Sequence, residues 1–463
     1  MQRTWLWLLC ALLFGCATSA RLITPPPASA GEKPILYGTH GPLSPERSHA
    51  ILAALAKGAD NDDILTRHVA VEEAITRYPL TIGNKVTLLR DGPATYRAMY
   101  QAIRRAKDHI NLETYIFEDD EVGRQMSELL IERQRAGVQV NVIHDSVGTI
   151  KTPEAFFERL QQAGVNVLEF NPINPAAVKA NKNWEVDHRD HRKLLVVDGQ
   201  VAFTGGINFS SVYSGGSLSR PRRVSGKDGN GKARIPWRDT HIQIEGPVVA
   251  EFQKLFIGTW QNQHGPALAR RHYFPRPEER GTQIVRAIGS SPDDKISVIH
   301  ATLLSAIVHA ECSIHITNAY FVPDESLLNG LRDAARRGVD VKLILPSQSD
   351  FWAPLYAGRS YYGDLLEAGV KVFEREQAML HAKTIVIDGV WSTVGSTNLD
   401  QRSFLNNDEI NAVILGRDFA NQMEAMFGDD LAHSKAILLA GWQHRGLGSR
   451  FKEIGARMWQ RWL

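Results

Sequence analysis

Thiols are scarce in this chain. Three cysteines occur among 463 residues, Cys10, Cys16 and Cys312, and the first two lie in an apolar N-terminal leader. The body therefore has neither a disulfide framework nor a cysteine-based zinc site available to it. Cys312 has no second thiol beside it and reads as a small buried hydrophobe. An excess of charge of one sign is also lacking. The 53 Lys and Arg residues stand against 51 Asp and Glu, a net charge of +2, so any preference for anions must be local. No apolar run is long enough to cross a bilayer, since Trp5–Phe14 is too short. The low apolar content of disordered chains is absent too: 43% hydrophobic residues is the composition of a globular protein, of two domains or one bilobed body.

What is present at the N-terminus is an export signal over residues 1–20, with Arg3, the apolar run and then Gly15-Cys16-Ala17. Leu13-Phe14-Gly15-Cys16 resembles a lipobox, which makes Cys16 the expected lipidation site and new N-terminus; ordinary cleavage after Ala20 is the alternative. Two acyl attachments would anchor the protein firmly. The expected location is the bacterial cell envelope, membrane-anchored and facing the periplasm, and Ala17 in place of Asp favours the outer membrane by resemblance to other lipoproteins. From Thr24 to Pro45, Pro, Gly and Ser predominate, as in a tether without fixed structure. Ile51, Leu52, Leu55, Ile64, Leu65 and Val69 then recur at helical spacing, so residues 21–79 read as a tether followed by a helical extension.

The body carries one constellation twice. His191, Lys193, Asp198, Gly205, Gly206 and Asn208 recur as His381, Lys383, Asp388, Gly395, Ser396 and Asn398, each set reading H-x-K-x-x-x-x-D followed by G-[GS]-x-N. A single His two residues before a Lys says little. Two copies with identical internal spacing can surround one tetrahedral phosphate with a nucleophile, a proton donor and fixed cationic and amide contacts. Lys193–Asp198 and Lys383–Asp388 are short β-branched runs ending in Asp-Gly turns, and strand alternation sends each His and Lys to one face.

The upstream segments repeat as well. Ile110–Phe117 matches Ile314–Phe321 in strand character, Arg135–Ile143 parallels Arg337–Leu345, and Gln162–Leu168 mirrors Glu367–Phe373. The last two pairs each read as a helix end, a Gly cap and a strand. Strand-helix order repeated in this way implies an α/β sandwich in two halves, over 80–270 and 271–440.

These motifs resemble those of the phospholipase D superfamily, and specifically its bacterial cardiolipin synthase branch, over roughly residues 80 to 440. Trp237–Pro247, Tyr320–Asp324, Arg402-Ser403-Phe404 and Asp408-Glu409 are also similar to segments of those synthases. The resemblance implies two α/β/α halves related by a pseudo-twofold, with the active site at their interface and no metal or other cofactor. The catalytic set it implies is His191, Lys193, Asp198, His381, Lys383 and Asp388, within which Asp198 and Asp388 fit a structural role better than a chemical one. His191 would attack phosphorus to give a phosphohistidine, and His381 would act as general acid and then base, an assignment that near symmetry leaves reversible. Lys193, Lys383, Asn208 and Asn398 would hold the phosphate oxygens. Downstream acids would orient the imidazoles, Asp239 for His191 and Glu409 for His381, with Asp239 set back by an added loop over residues 214–236.

That loop carries Arg220, Arg222, Arg223, Lys227, Lys232 and Arg234 against Asp228. Such a loop is either solvated or in contact with anionic lipid headgroups; nucleic acid phosphates would fit it equally. The segment 441–463 mixes Trp442, Arg445, Arg450, Phe451, Lys452, Arg457, Trp459, Arg461 and Trp462. It suits either a membrane-water interface or a terminal helix docked on the body. With the leader, these features favour membrane phospholipids such as phosphatidylglycerol, met at the membrane surface, over nucleic acid as the partner. The expected activity is phosphatidyl transfer from one anionic phospholipid to the hydroxyl of another. Hydrolysis to phosphatidic acid is the first alternative, and an exported phosphodiesterase or nuclease the second.

Overall fold

The computed structural model describes residues 34–56, 68–70, 73, 76, 78–173, 187–215 and 235–458. In chain order the N-terminal extension supplies β1 (Leu36–Gly38), β2 (Gly41–Pro42) and α1 (Pro45–Ala56). The first half follows with β3 (Leu80–Leu89), α2 (Gly92–Arg105), β4 (His109–Thr114), α3 (Glu121–Arg135), β5 (Gln139–Asp145), α4 (Glu154–Gln162), β6 (Asn166–Phe170), β7 (Arg189–Asp190), β8 (Lys193–Val197), β9 (Val201–Gly205), β10 (Trp237–Arg238), β11 (His241–Glu245) and α5 (Val249–Asn262). The second half has β12 (Gln283–Ser290), α6 (Val298–Val308), β13 (Ser313–Asn318), β14 (Phe321–Val322), α7 (Glu325–Arg336), β15 (Asp340–Pro346), α8 (Trp352–Arg359) and α9 (Tyr362–Glu367). It continues with β16 (Lys371–Arg375), β17 (Met379–Leu380), β18 (Lys383–Ile387), β19 (Trp391–Gly395), β20 (Leu399–Asp400), α10 (Gln401–Leu405), β21 (Asn407–Leu415), α11 (Arg417–Ala432) and β22 (Ser434–Ile437). Two helices end it, α12 (Leu439–Gln443) and α13 (Leu447–Met458).

The two halves use one strand order. In the first, β6, β5, β4, β8, β9, β11 and β3 are neighbours in that sequence. In the second, β16, β15, β13, β18, β19, β21 and β12 repeat it, with β22 added outside β16. The two series meet where β3 pairs antiparallel with β12. The parallel strands of each half need crossover helices, and the helices are started and stopped by local chemistry. Asp91, Asp120 and Asp324 accept first-turn N–H groups of α2, α3 and α7. Gly137, Gly164, Gly338 and Gly369, all near φ +90° to +97°, close four helices and turn the chain into β5, β6, β15 and β16. A core shared by both halves contains Leu194, Val196, Ala202, Ile242 and Ile244 from one and Val386, Val394, Ile410, Ala412 and Ile414 from the other. That packing seats the halves face to face.

The tether expected through Pro45 departs from this picture over its described part. Leu36 is fully buried and β1 runs parallel to β3, while the Ser48 hydroxyl accepts the Leu36 N–H at 3.0 Å. Burial of Leu36, Leu52 and Val69 with the second half's core outweighs the local Pro and Gly content. The leader, with Cys16, and the loop residues Arg220, Arg222, Arg223, Lys227, Asp228, Lys232 and Arg234 lie outside the described residues, as do Ile64, Leu65, Trp459, Arg461 and Trp462. Cys312 is exposed, contrary to expectation. Its N–H is held by Asp388 at 2.7 Å, which fixes the backbone at the strand entrance and leaves the thiol outward. The C-terminal helices dock on the body. Trp442 meets Tyr362 at 4.9 Å between centroids, Arg457 lies over Tyr361, and Arg445 pairs with Glu453 at 2.6 Å. For these residues the alternative of a terminal helix docked on the body holds. Among the described residues, no helix is long and apolar enough to cross a membrane.

Asp198 and Asp388 sit at the far ends of β8 and β18 from the motif histidines. Each has a left-handed backbone, φ +53° and +54°, which Asp tolerates better than most residues. The Asp198 carboxylate accepts the N–H groups of Lys107, Asp108 and His109 at 2.8–3.0 Å, and Asp388 accepts those of Glu311, Cys312 and Ser313. They staple the entrance of β4 or β13 to the neighbouring strand, so they leave the catalytic set. Asp198→Ala removes the acceptor of three N–H groups and is expected to cost about 2–4 kcal/mol, read as a lower denaturant midpoint, while Asp198→Asn loses less. An Ala variant as stable as wild type would contradict this role.

Candidate active site

Each motif histidine enters the site on a two-residue parallel bridge to the other half. β7 pairs with the start of β21, placing the His191 N–H on the Asp408 carbonyl at 2.9 Å. β10 pairs with β17, placing the His381 N–H on the Arg238 carbonyl at 2.8 Å. The residue after each of those carbonyls is an acid, so the acid faces the opposite half's imidazole. His191 Nδ1 is 3.0 Å from Glu409 Oε1, and His381 Nδ1 is 2.7 Å from Asp239 Oδ2. The pairing expected from chain order, Asp239 with His191 and Glu409 with His381, is therefore crossed. Within its own half each acid instead touches the motif's second small residue. A Cβ on Gly206 would lie 2.2 Å from Asp239 Oδ1, and at the equivalent position the Ser396 hydroxyl donates to Glu409.

The crossing is held by buried cations. Arg238 forms a bidentate pair with Asp430, at 2.9 and 2.6 Å, and donates to the Asp239 carbonyl. Arg192 donates to the Glu409 carbonyl at 3.1 Å and to Thr259. Lys193 and Lys383 each curl back so that Nζ donates to the carbonyl of its own motif's His.

His191 and His381 open onto one cavity of about 360 Å³, lined also by Tyr115, Arg189, Asn208, Trp237, Tyr320 and Asn398. Asn208 accepts the Ile116 N–H and donates to the Tyr213 hydroxyl, which lies 3.3 Å from His381 Nδ1. The Asn398 side-chain oxygen is buried without a hydrogen-bond partner. Tyr115, Trp237 and Tyr320 pack edge-on or tilted against the two imidazoles. The structure thus brings together His191, Lys193, Asn208, Asp239, His381, Lys383, Asn398 and Glu409, and it separates Asp198 and Asp388 from them. Tyr213 and Arg189 belong to the site without any sequence signal that marked them. Tyr213 follows Asn208 by five positions, but only the fold turns its hydroxyl inward.

Electrostatically the two imidazoles differ. Burial, followed by the charges of Lys193 and Lys383, holds His191 well below the ordinary imidazole range. Burial and Lys383 also lower His381, but the Asp239 charge and hydrogen bond oppose them. Asp239 itself is held below the usual carboxylate range against its burial by His381 and Lys383. Glu409 is pushed up by burial to about 7, with Lys193 opposing. Burial lowers Lys193 to about 7 and Lys383 to about 8. Two imidazoles on one cavity, with a buried lysine behind each, form a receptor for an anion with oxygens on several sides. Among the described residues no group of three or more His, Cys, Asp or Glu side chains could hold a metal ion.

A duplicated α/β body with paired His-Lys motifs converging on one cavity defines a phospholipase D-type enzyme. The chain belongs to the cardiolipin synthase family of that superfamily: the model for the cardiolipin synthase PLD-like domain matches residues 99–214 and 303–431. It is 35% identical over 386 residues to a cardiolipin synthase of Geobacillus kaustophilus, covering 83% of this chain and 73% of the relative. A probable cardiolipin synthase of Bacillus subtilis is 31% identical over 379 residues, covering 81% and 71%. Among solved structures, phosphatidylserine synthase of Haemophilus influenzae shares the fold with a TM-score of 0.59 at 14% identity, covering 86% of this chain and all of that one. Polyphosphate kinase of Porphyromonas gingivalis reaches 0.50 at 11% identity, covering 84% and 51%.

The crossed pairing is measurable by ¹⁵N-histidine NMR titration. Removing a negative charge favours the neutral ring, so Asp239→Asn is expected to move the His381 titration to lower pH and leave His191 in place. Glu409→Gln is expected to perturb His191 instead. The opposite correspondence would restore the uncrossed pairing.

Proposed function

We propose that this protein is a cardiolipin synthase-type phosphatidyltransferase working through a phosphohistidine intermediate on anionic phospholipids such as phosphatidylglycerol. The observation that supports this reading most is the convergence of His191 and His381 on one cavity, each with a carboxylate at Nδ1. A carboxylate there keeps the proton on Nδ1 and turns Nε2 to the substrate.

In the first step His191 Nε2 attacks phosphorus, the bond to the headgroup oxygen breaks, and His381 passes its Nε2 proton to the departing alcohol. In the second, His381 takes the proton of the acceptor hydroxyl as that oxygen attacks phosphorus and the phosphorus–nitrogen bond breaks. Lys193, Lys383, Asn208 and Asn398 hold the non-bridging oxygens throughout. The environments favour this direction of the pair. Burial, followed by the charges of Lys193 and Lys383, favours neutral His191, as a nucleophile must be, whereas at His381 ionised Asp239 opposes the lowering by burial and Lys383 and so favours the protonated form there relative to His191. If water replaces the lipid alcohol in the second step, the product is phosphatidic acid. We further place the protein in the cell envelope as a lipoprotein anchored through Cys16 and facing the periplasm, on the strength of the leader's sequence.

Incubation of the purified protein with labelled phosphatidylglycerol is expected to yield cardiolipin and glycerol. Phosphatidic acid alone would make the protein a hydrolase, and no conversion would end the proposal. His191→Ala and His381→Ala are each expected to lose at least ~10³-fold in rate, and near-normal turnover in both would refute the mechanism. Intact-mass measurement of the mature protein is expected to show an N-terminal Cys16 carrying a diacylglycerol thioether and an amide-linked acyl chain; a mature chain beginning after Ala20 would refute the anchor.

A further inference from the structure

The catalytic groups obey the pseudo-twofold, but two cations in the cavity do not: Arg189, set against Met379 and bonded to Ser146 and the Asn171 carbonyl at 2.8 and 3.2 Å, and Arg402. Aligning the halves on Asn208 and Asn398 sets Ser210 against Asp400, two residues that each cap the short helical turn that follows. The same alignment sets Val212 against Arg402. Arg402 lines the cavity together with His191, His381 and Asn398, and the first half has an aliphatic side chain in its place. The histidines, lysines and asparagines of the two motifs recur on both sides of the alignment. Arg402 adds charge on one side alone.

That guanidinium is also uncommitted. Among the described residues Arg402 makes no ion pair, and its side chain makes no hydrogen bond. The nearby acids are otherwise engaged: Asp350 accepts the Tyr320 hydroxyl at 2.5 Å, and Asp400 accepts the Ser403 N–H at 2.7 Å. Its charge bears on the Asp400 carboxylate without a hydrogen bond to it, and on Tyr115, His191 and a second guanidinium, Arg189. A guanidinium that lines a substrate cavity beside His191 and Arg189 without a bonded carboxylate among the described residues is placed to meet an anion that arrives with the substrate. Its fork suits two oxygens of one phosphate.

The central phosphate already has Lys193, Lys383 and two asparagines. Transfer between two phospholipids brings a second phosphodiester into the cavity, that of the acceptor, whereas hydrolysis brings none. We propose that Arg402 is the anchor for the acceptor lipid's phosphodiester and thereby selects an anionic lipid alcohol over water or a neutral alcohol. This rests on the phosphatidyl transfer proposed above. The required asymmetry has a simple origin, because donor and acceptor play different parts in a site whose chemistry is otherwise duplicated.

The test is a competition within one reaction. Labelled phosphatidylglycerol vesicles are offered 1-butanol as an uncharged acceptor, and the ratio of cardiolipin to phosphatidylbutanol is measured, so that losses in folding or donor cleavage cancel. Arg402→Val and Arg402→Gln are expected to lower that ratio at least tenfold, with Arg402→Lys intermediate because it keeps the charge and loses the fork. An unchanged ratio, or a fall of both products in step across all three variants, overturns the acceptor assignment. Wild-type protein that makes phosphatidylbutanol without cardiolipin overturns it too, while leaving donor cleavage standing. Wild-type protein that makes neither product refutes the phosphatidyl-transfer reading itself, and the assignment with it.

Discussion

Two parallel bridges of two residues each, β7 on β21 and β10 on β17, carry the organisation of this enzyme. Each lays the segment before a catalytic histidine along the segment before the other half's acid, with backbone hydrogen bonds of 2.8–2.9 Å fixing the offset. Neither half can then complete a catalytic imidazole alone. His191 depends on a carboxylate from the second half, and His381 on one from the first. The shared core between the sheets brings the halves together, but the bridges decide the register, and a slip of one residue would turn each acid away from its imidazole.

That arrangement also explains why so much charge can be buried. Arg192, Arg238, Asp239, Glu409 and both motif lysines are nearly or wholly removed from solvent, at a desolvation cost that only dense pairing offsets. The pairing is closed on the outer side, where Arg238 is locked to Asp430. It is left open on the cavity side, where His191 and His381 face one space and the two motif lysines, lowered by burial to about 7 and 8, stand behind them on the histidine carbonyls. A phosphodiester entering that space would restore the balance the empty cavity lacks, so binding and charge compensation are one event. Arg402 extends the same logic beyond the symmetric centre, as a cation whose counter-charge has to come with a second substrate.

Much of the fold was legible because its signals are local. Strand alternation, the Gly caps before β5, β6, β15 and β16, and the Asp-Gly turns after β8 and β18 are all written over a few residues. So was the duplication, which two copies of one spaced motif revealed. Two readings failed where tertiary contacts overrode local composition. The segment from Leu36 joined a sheet because β3 offered it an edge. Cys312 turned outward because Asp388 claimed its backbone. For Trp442 and Arg457 the docked-helix alternative holds, with aromatic partners on the body. Asp198 and Asp388, grouped with the catalytic residues by motif but better suited to a structural role, hold backbone N–H groups at the end of a five-residue strand away from the histidines.

The sequence by itself determined the candidate groups: paired histidines, lysines and asparagines at spacings that place each His and Lys on one face of one strand, a consequence of backbone geometry over a few residues. Only the tertiary structure decided which acid meets which histidine, that Tyr213 reaches His381, and that Arg402 lines the cavity without an ion pair among the described residues. Those relations join residues some 140 to 220 positions apart, and no local periodicity encodes them. They follow from how two similar sheets close face to face and exchange strand ends across the seam.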